Sequence, residues 1–350
     1  MKIQSPPGMR DFYPEDMRVQ NWLFDHWRGV SRAFGCQEYE GPIFESLDLY
    51  RLKSGDGIVS ELFNFKDRGE REFAIRPEMT PTLARMVAAR ANALPRPIKW
   101  FSIPRMCRAE RPQRGRLREF FQWNVDILGA PDDVLADAEV IAIAVESLKA
   151  VGLGSGDVVV RINNRKLASA MLGGLGIVGD ATAKAFALID RFEKLPPEEF
   201  DRQWDAEYAA TAPAGRLRDL LTQKSFDECL KLAEAGFAAA GATAPENGDR
   251  QGGTVAEMRQ LFDRLRDFGV AEFCEFDPGV VRGIAYYTGV VFETYTRAGS
   301  LRALQGGGRY DDLCSLLGGP KLSGIGFGMG DAPLLAALDE LGKLPTLADQ

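Results

Sequence analysis

The sequence predicts an α+β chain in which short strands alternate with amphipathic helices and one long helical stretch interrupts them. Three observations predict it. Segments with alternating apolar residues stand on both sides of residues 165–268. That stretch itself is rich in Ala, Leu, Lys and Glu, with helical periods broken at Pro196–Pro197, at Pro213 and across 245–253. Two β-prone runs also flank a loop dense in arginine, with six arginines between Arg105 and Arg118. The division this implies is a core in two parts, 1–164 and 269–350, around a helical insertion, 165–268.

Composition sets the outer limits. A chain of 350 residues with 45% hydrophobic content can bury a large core and a second, smaller domain. Its formal charge of −7 excludes a surface that is basic all round, so contact with an anionic partner must come from a local patch. The five cysteines are far apart and form no CxxC pair, which argues against a disulfide framework and a thiolate zinc site. No signal-peptide core opens the chain, and no apolar run approaches the roughly 18 residues of a membrane span. A cytoplasmic protein without a membrane partner is expected. The single histidine, His26, excludes catalysis by a multi-histidine site and is expected to have a structural or surface role.

Taken in order, Pro6–Asp16 is a turn-rich opening, after which Asp16 is expected to cap a helix to about Phe34, with Trp22, Leu23, Trp27, Val30 and Phe34 on its buried face. Residues 37–49 are expected to be extended, with a break at Pro42. Residues 61–76 predict a hairpin turning at Asp67–Gly69. Thr80 is then expected to cap a helix with Pro81 in its first turn. Glu78 and Thr80 sit at that strand-to-helix corner, where a carboxylate and a hydroxyl can face a ligand amine or serve merely as surface acid and cap. Local sequence leaves both open.

Residues 98–107 and 120–128 predict antiparallel strands joined by the arginine-rich loop. Arginine's planar fork suits phosphate oxygens and stacks on a purine, whereas the plainer alternative is a solvated hairpin tip. Gln122 and Asp126 share strand parity and so face one side of the sheet, suggesting a lined pocket. A helix from Asp132 to Val151 and a strand over 157–164 follow. Beyond the helical stretch, β character returns at 272–277, in VVFETYT, in LQGGGRY and in SGIGFGMG, whose alternate glycines leave room against one strand face.

Four of these segments together, RPEMTPTLARM, RAERPQRGRLREFFQWNVDILG, VRGIAYYTGVVFE and GGGRYDDL, closely resemble histidyl-tRNA synthetases, a class II aminoacyl-tRNA synthetase family. GMRDFYPED resembles that family's opening segment and EYEGPIFE its motif 1, with Pro42 at a dimer interface. The resemblance implies a class II antiparallel β-sheet flanked by helices, a helical insertion domain and a homodimer built through the motif 1 region. It implies ATP with substrate-bound Mg²⁺, and histidine and tRNA(His) as further substrates.

It also implies roles for individual residues. Arg108 and Arg282 would be catalytic. Arg108, Glu110 and Arg116 would bind ATP, while Glu78, Thr80, Arg108, Gln122, Asp126, Arg282, Tyr286, Tyr287 and Tyr310 would bind histidine. Asp126 stands where many relatives carry glutamate. Two departures accompany the likeness. GMGDAPLL places Asp331, Ala332 and Pro333 where most relatives have Leu-Glu-Arg, and no anticodon-binding domain is expected after Gln350. Three functions follow, ranked in this order: a histidine–tRNA ligase, a regulatory histidine-sensing subunit of ATP phosphoribosyltransferase, and a non-catalytic class II-fold binding module. The intact arginine loop puts the first ahead.

Overall fold

A computed structural model describes residues 4–54, 56–112, 117–239, 253–281, 287–299 and 301–347. By their own contacts these fall into two compact units, 1–159 with 294–350, and 160–293. Along the chain run α1 (Pro14–Ala33), β1 (Gln37–Glu38), β2 (Phe44–Ser46), α2 (Leu47–Ser54), β3 (Asn64–Lys66), β4 (Glu72–Ile75), α3 (Thr80–Arg90), β5 (Ile98–Ser102), β6 (Arg105–Cys107), β7 (Glu119–Leu128) and α4 (Asp133–Ala150). Then come β8 (Val158–Asn164), α5 (Arg165–Gly174), α6 (Asp180–Ile189), α7 (Pro197–Tyr208), α8 (Ala214–Gln223), α9 (Phe226–Ala239), α10 (Gly253–Asp267), β9 (Cys274–Phe276), β10 (Val290–Thr296), β11 (Gln305–Arg309), α11 (Leu313–Leu316), β12 (Gly324–Gly330) and α12 (Asp331–Glu340).

The first unit is built on the strand order β1-β5-β7-β12-β11. Only β1 and β5 run parallel; β5–β7, β7–β12 and β12–β11 are antiparallel, and β6 extends the pairing of β7. Strand β7 shows why the sheet has two unlike faces. Its odd positions Trp123, Val125 and Ile127 are buried against helices: Trp123 lies 5.8 Å from Trp27 of α1 in a stacked pair and donates its indole N–H to Ser31 Oγ at 3.0 Å. On β12 the same face carries Ile325, Phe327 and Met329, with Ser147 of α4 near the Met329 sulfur. The even positions Gln122, Asn124 and Asp126 therefore point the other way. On β11, Arg309 donates to both carboxylate oxygens of Asp137, at 3.3 and 2.7 Å, tying that strand to α4.

Several boundaries differ from the sequence reading. Helix α1 begins at Pro14, and Asp16 sits in its first turn, accepting from the Tyr13 backbone N–H at 3.0 Å, rather than at the cap. The extended run ends early because Leu47 already opens α2, which buries Leu47 and Tyr50 against Leu62 and Ala74. Thr80 is the first helical residue of α3 rather than its cap, a position that Met79 takes. The expected hairpin is present as β3 and β4, which with β2 form a small separate sheet.

The second unit carries α5 to α10, with β8 pairing β9 in parallel from Val160 to Ile162. The prolines at 197 and 213 mark helix starts, as their missing N–H groups favour: α7 opens on Pro197 and Pro213 caps α8. Helices α5 and α9 cross at glycines, since a Cβ on Gly236 would run into the Ala170 carbonyl and one on Gly174 into that of Leu232. The stretch near 244–253 read as a flexible break lies almost wholly outside the described residues. All five cysteines are free. His26 Nδ1 donates to the Trp22 carbonyl one turn back at 2.8 Å, a bond internal to α1.

Candidate active site

The even face of β7 and the glycine strand beside it build the site. Residues Gly324, Gly326 and Gly328 of β12 clear space there, and the chain's own side chains fill it. A Cβ on Gly326 would collide with the Asp126 carboxylate, one on Gly328 would stand 2.7 Å from the Gln122 carboxamide carbon, and one on Gly324 2.6 Å from the Tyr310 ring. Small residues on this strand are thus required by Gln122, Asp126 and Tyr310, which cross over it.

Asp126 is the chemical centre of that face. It is 3% exposed, and its Oδ1 accepts the Tyr310 hydroxyl proton at 2.5 Å. Burial pushes its pKa up to about 7, and the Tyr310 hydrogen bond offsets only part of that rise. The Tyr310 phenol is held well above its ordinary range by burial and then by the neighbouring carboxylate. Tyr39 is raised in the same sense, again by burial first and Asp126 second. Tyr39 packs beside Trp100, which is the register partner of Asp126 on β5. Sequence reading had not picked out Tyr39; its place follows from the short parallel pairing of β1 with β5, which no local pattern announces.

The arginine strand adjoins this face from β6. Arg108 donates its Nε–H to the Pro77 carbonyl at 3.0 Å, which sets it against the strand-to-helix corner carrying Glu78 and Thr80. Its guanidinium lies 5.1 Å from the Phe120 ring centre. Arg108 N–H donates to the Arg118 carbonyl at 2.8 Å, and Arg118 Nε–H to the Glu110 carbonyl at 2.9 Å, so the two sides of the arginine hairpin are laced together at its base. Beneath the corner is Arg76, a residue that the sequence analysis passed over. Its side chain is 4% exposed, and it reaches Glu40 at 2.5 Å, the Gly41 carbonyl at 2.9 Å and the Arg105 carbonyl at 3.0 Å. It stitches the motif 1 segment to β4 and β6.

The structure thus brings Gln122, Asp126 and Tyr310 onto one face, and joins Arg108 to the corner of Glu78 and Thr80. Tyr287 belongs to the second unit, where it is 7% exposed. Arg116, Arg282 and Tyr286 lie outside the described residues. Among the described residues no group of three His, Cys, Asp or Glu side chains is placed to hold a metal, and no helix is long and apolar enough to cross a membrane.

Comparison with known proteins extends this picture. A family model described as histidyl-tRNA synthetase matches residues 8–332. The histidine–tRNA ligase of Opitutus terrae is 43% identical over 98% of this chain and 76% of its own length. A solved histidyl-tRNA synthetase from Nostoc sp. superposes with a TM-score of 0.82 at 26% identity, over 99% of this chain and 78% of that one. A Bacillus halodurans structure described as an ATP phosphoribosyltransferase regulatory subunit/histidyl-tRNA synthetase superposes with a TM-score of 0.78 at 27% identity, over 97% and 84%.

Proposed function

The chain belongs to the histidyl-tRNA synthetase family, and from that premise we propose that it activates histidine with ATP to histidyl-adenylate and passes the histidyl group to tRNA(His). The observation that carries this reading is the buried Asp126–Tyr310 pair beside Gln122, on the sheet face next to the arginine strand. A carboxylate with its pKa near 7, backed by a tyrosine hydroxyl, suits recognition of an imidazole N–H. Any other side chain would leave these buried polar groups unpaired, the stronger kind of selectivity. Glu78 and Thr80 are assigned to the amino group, and Tyr286 and Tyr287 are assigned to histidine binding as well.

The chemistry needs no general base. The histidine carboxylate attacks the α-phosphorus of ATP, pyrophosphate leaves, and negative charge builds between two anions on the way. Fixed cations lower that barrier. Arg108 is assigned to the α-phosphate and the histidine carboxylate, Arg282 to the same developing charge, and Glu110 and Arg116 to ATP. Mg²⁺ would enter with the nucleotide and neutralise its outer phosphates. The support for Arg108 in this role is its fixed position: one Nε–H bond and a ring contact hold the guanidinium before substrate arrives.

The stretch 165–268 is assigned as an insertion between core segments 1–164 and 269–350, and the enzyme as a cytoplasmic homodimer. Exposed Ile43 and Phe44 on the motif 1 segment, with Phe65 beside Phe44, support the dimer. Histidine-dependent ATP–pyrophosphate exchange by the purified chain tests the central reading. The Bacillus halodurans likeness favours one alternative, a histidine-sensing regulatory subunit, which would bind histidine and catalyse no exchange.

A further inference from the structure

Asp331 has no part in the chemistry just described, yet its carboxylate is fully buried. It opens α12 immediately after the glycine strand. One oxygen, Oδ1, accepts the Phe121 backbone N–H of β7 at 3.0 Å, and the other, Oδ2, pairs with Arg10 Nη2 at 2.6 Å across 321 positions of sequence. Burial raises the Asp331 pKa, and Arg10 is the largest influence opposing that rise. A buried carboxylate is retained as a charge only where partners such as these are present.

Arg10 lies on the opening segment, and that segment is itself clamped to the arginine hairpin. The Gly8 carbonyl accepts the backbone N–H groups of Arg118 at 2.8 Å and of Glu119 at 3.2 Å. Gly8 has φ +81°, and a Cβ there would stand 2.7 Å from Pro112 and 3.0 Å from Arg118, so only glycine fits. Phe12 packs edge-on against Phe121 at 5.8 Å between ring centres, and Arg10 lies over the Phe12 ring at 4.7 Å. Arg118 in turn holds the Arg108 N–H and the Glu110 carbonyl.

We propose that Asp331 is a positioning residue for the ATP-binding half of the site: through Arg10 and Phe121 it locks the opening segment onto β7, and the locked segment sets Arg118 and with it Arg108 and Glu110. The inference rests on the reading of Arg108 and Glu110 as ATP residues. It gives a use to the aspartate that stands where most relatives are read as carrying the first residue of Leu-Glu-Arg. The histidine-reading groups Asp126 and Tyr310 hold each other directly and are outside this tie.

The test compares Asp331→Asn, Arg10→Ala and the double variant with the unaltered chain, by calorimetric titration with Mg-ATP and separately with histidine, and by the KM values in pyrophosphate exchange. Asparagine keeps the shape and the bond from Phe121 but loses the charge that holds Arg10; Arg10→Ala changes a partly exposed side chain and leaves the core packed. Each single variant is expected to weaken ATP roughly tenfold, the scale of a slightly misplaced binding group, and histidine by a clearly smaller factor, since of the groups assigned to histidine only Arg108 hangs on this tie. The double variant is expected to lose no more than either single one, because both act through one tie. Unchanged ATP affinity in both single variants overturns the proposal, as do equal losses for both ligands, which mark a merely structural role. An unaltered chain that binds histidine but neither binds ATP nor exchanges pyrophosphate refutes the underlying functional reading instead.

Discussion

Asp126 is the residue at which burial and function meet most sharply. Its carboxyl pKa is pushed up to about 7, against an ordinary value of 3.8. The native chain therefore holds a proton there that the unfolded chain has released, between about pH 4 and pH 7. Stability must fall as pH rises through that window and level off above it. Asp126→Asn removes the titration while leaving Tyr310 an oxygen to donate to. The variant is expected to gain on the parent in melting temperature between pH 5 and pH 8, the difference appearing progressively, while its histidine affinity drops at least tenfold. A parallel pair of melting curves across that range would show that Asp126 is not the group being titrated.

At the level of elements, the sequence was legible wherever a strand or helix has one wet and one buried face. The alternation of β7 and the helix near Asp132 to Val151, which the structure starts with an Asp132 cap accepting from Leu135 N–H at 3.0 Å, were both readable from local pattern. So was the shared face of Gln122 and Asp126. Contacts that depend on distant partners were not. Arg76 looked like one more charged residue at a strand end, because Glu40 and the carbonyls it binds lie on other elements. Asp331 looked like a departure from a motif, because its partner Arg10 is near the other end of the chain. The glycines of β12 were readable as clearing a face, but what occupies that face becomes clear only with Tyr310 in place.

Glycines set the distance between helices α5 and α9. Gly236 lets the two helices approach so closely that a methyl group would meet backbone, which cannot move aside as a flexible side chain can. Gly236→Ala is expected to cost about 1–3 kcal/mol in the second unit despite alanine's better helix propensity. Urea unfolding followed by the fluorescence of buried Trp204 measures it, and a midpoint unchanged or raised would contradict the close crossing.

On the scale of the whole molecule, the three-stranded sheet exposes apolar surface that a lone protomer has no use for. Ile43, Phe44 and Phe65 are 65%, 49% and 41% exposed, and Phe44 touches both Phe65 and Phe73 edge-on. If this face joins two copies, each substitution acts twice, and burying one such side chain is worth about 1.5–3 kcal/mol. Phe44→Ser with Phe65→Ser is therefore expected to weaken the dimer by more than a hundredfold in Kd, measured by sedimentation equilibrium. A parent chain that sediments as a monomer at micromolar concentration would refute the dimer.

We propose that the buried Asp126–Tyr310 pair and the anchored Arg108 form an amino-acid activation site for histidine. The most direct measurement is incorporation of labelled pyrophosphate into ATP by the purified chain with Mg²⁺, amino acid by amino acid, alongside Arg108→Ala. Incorporation is predicted with histidine alone among the amino acids, and Arg108→Ala is predicted to slow it by at least a hundredfold. Histidine binding without any exchange, or exchange indifferent to the amino acid supplied, would contradict the account.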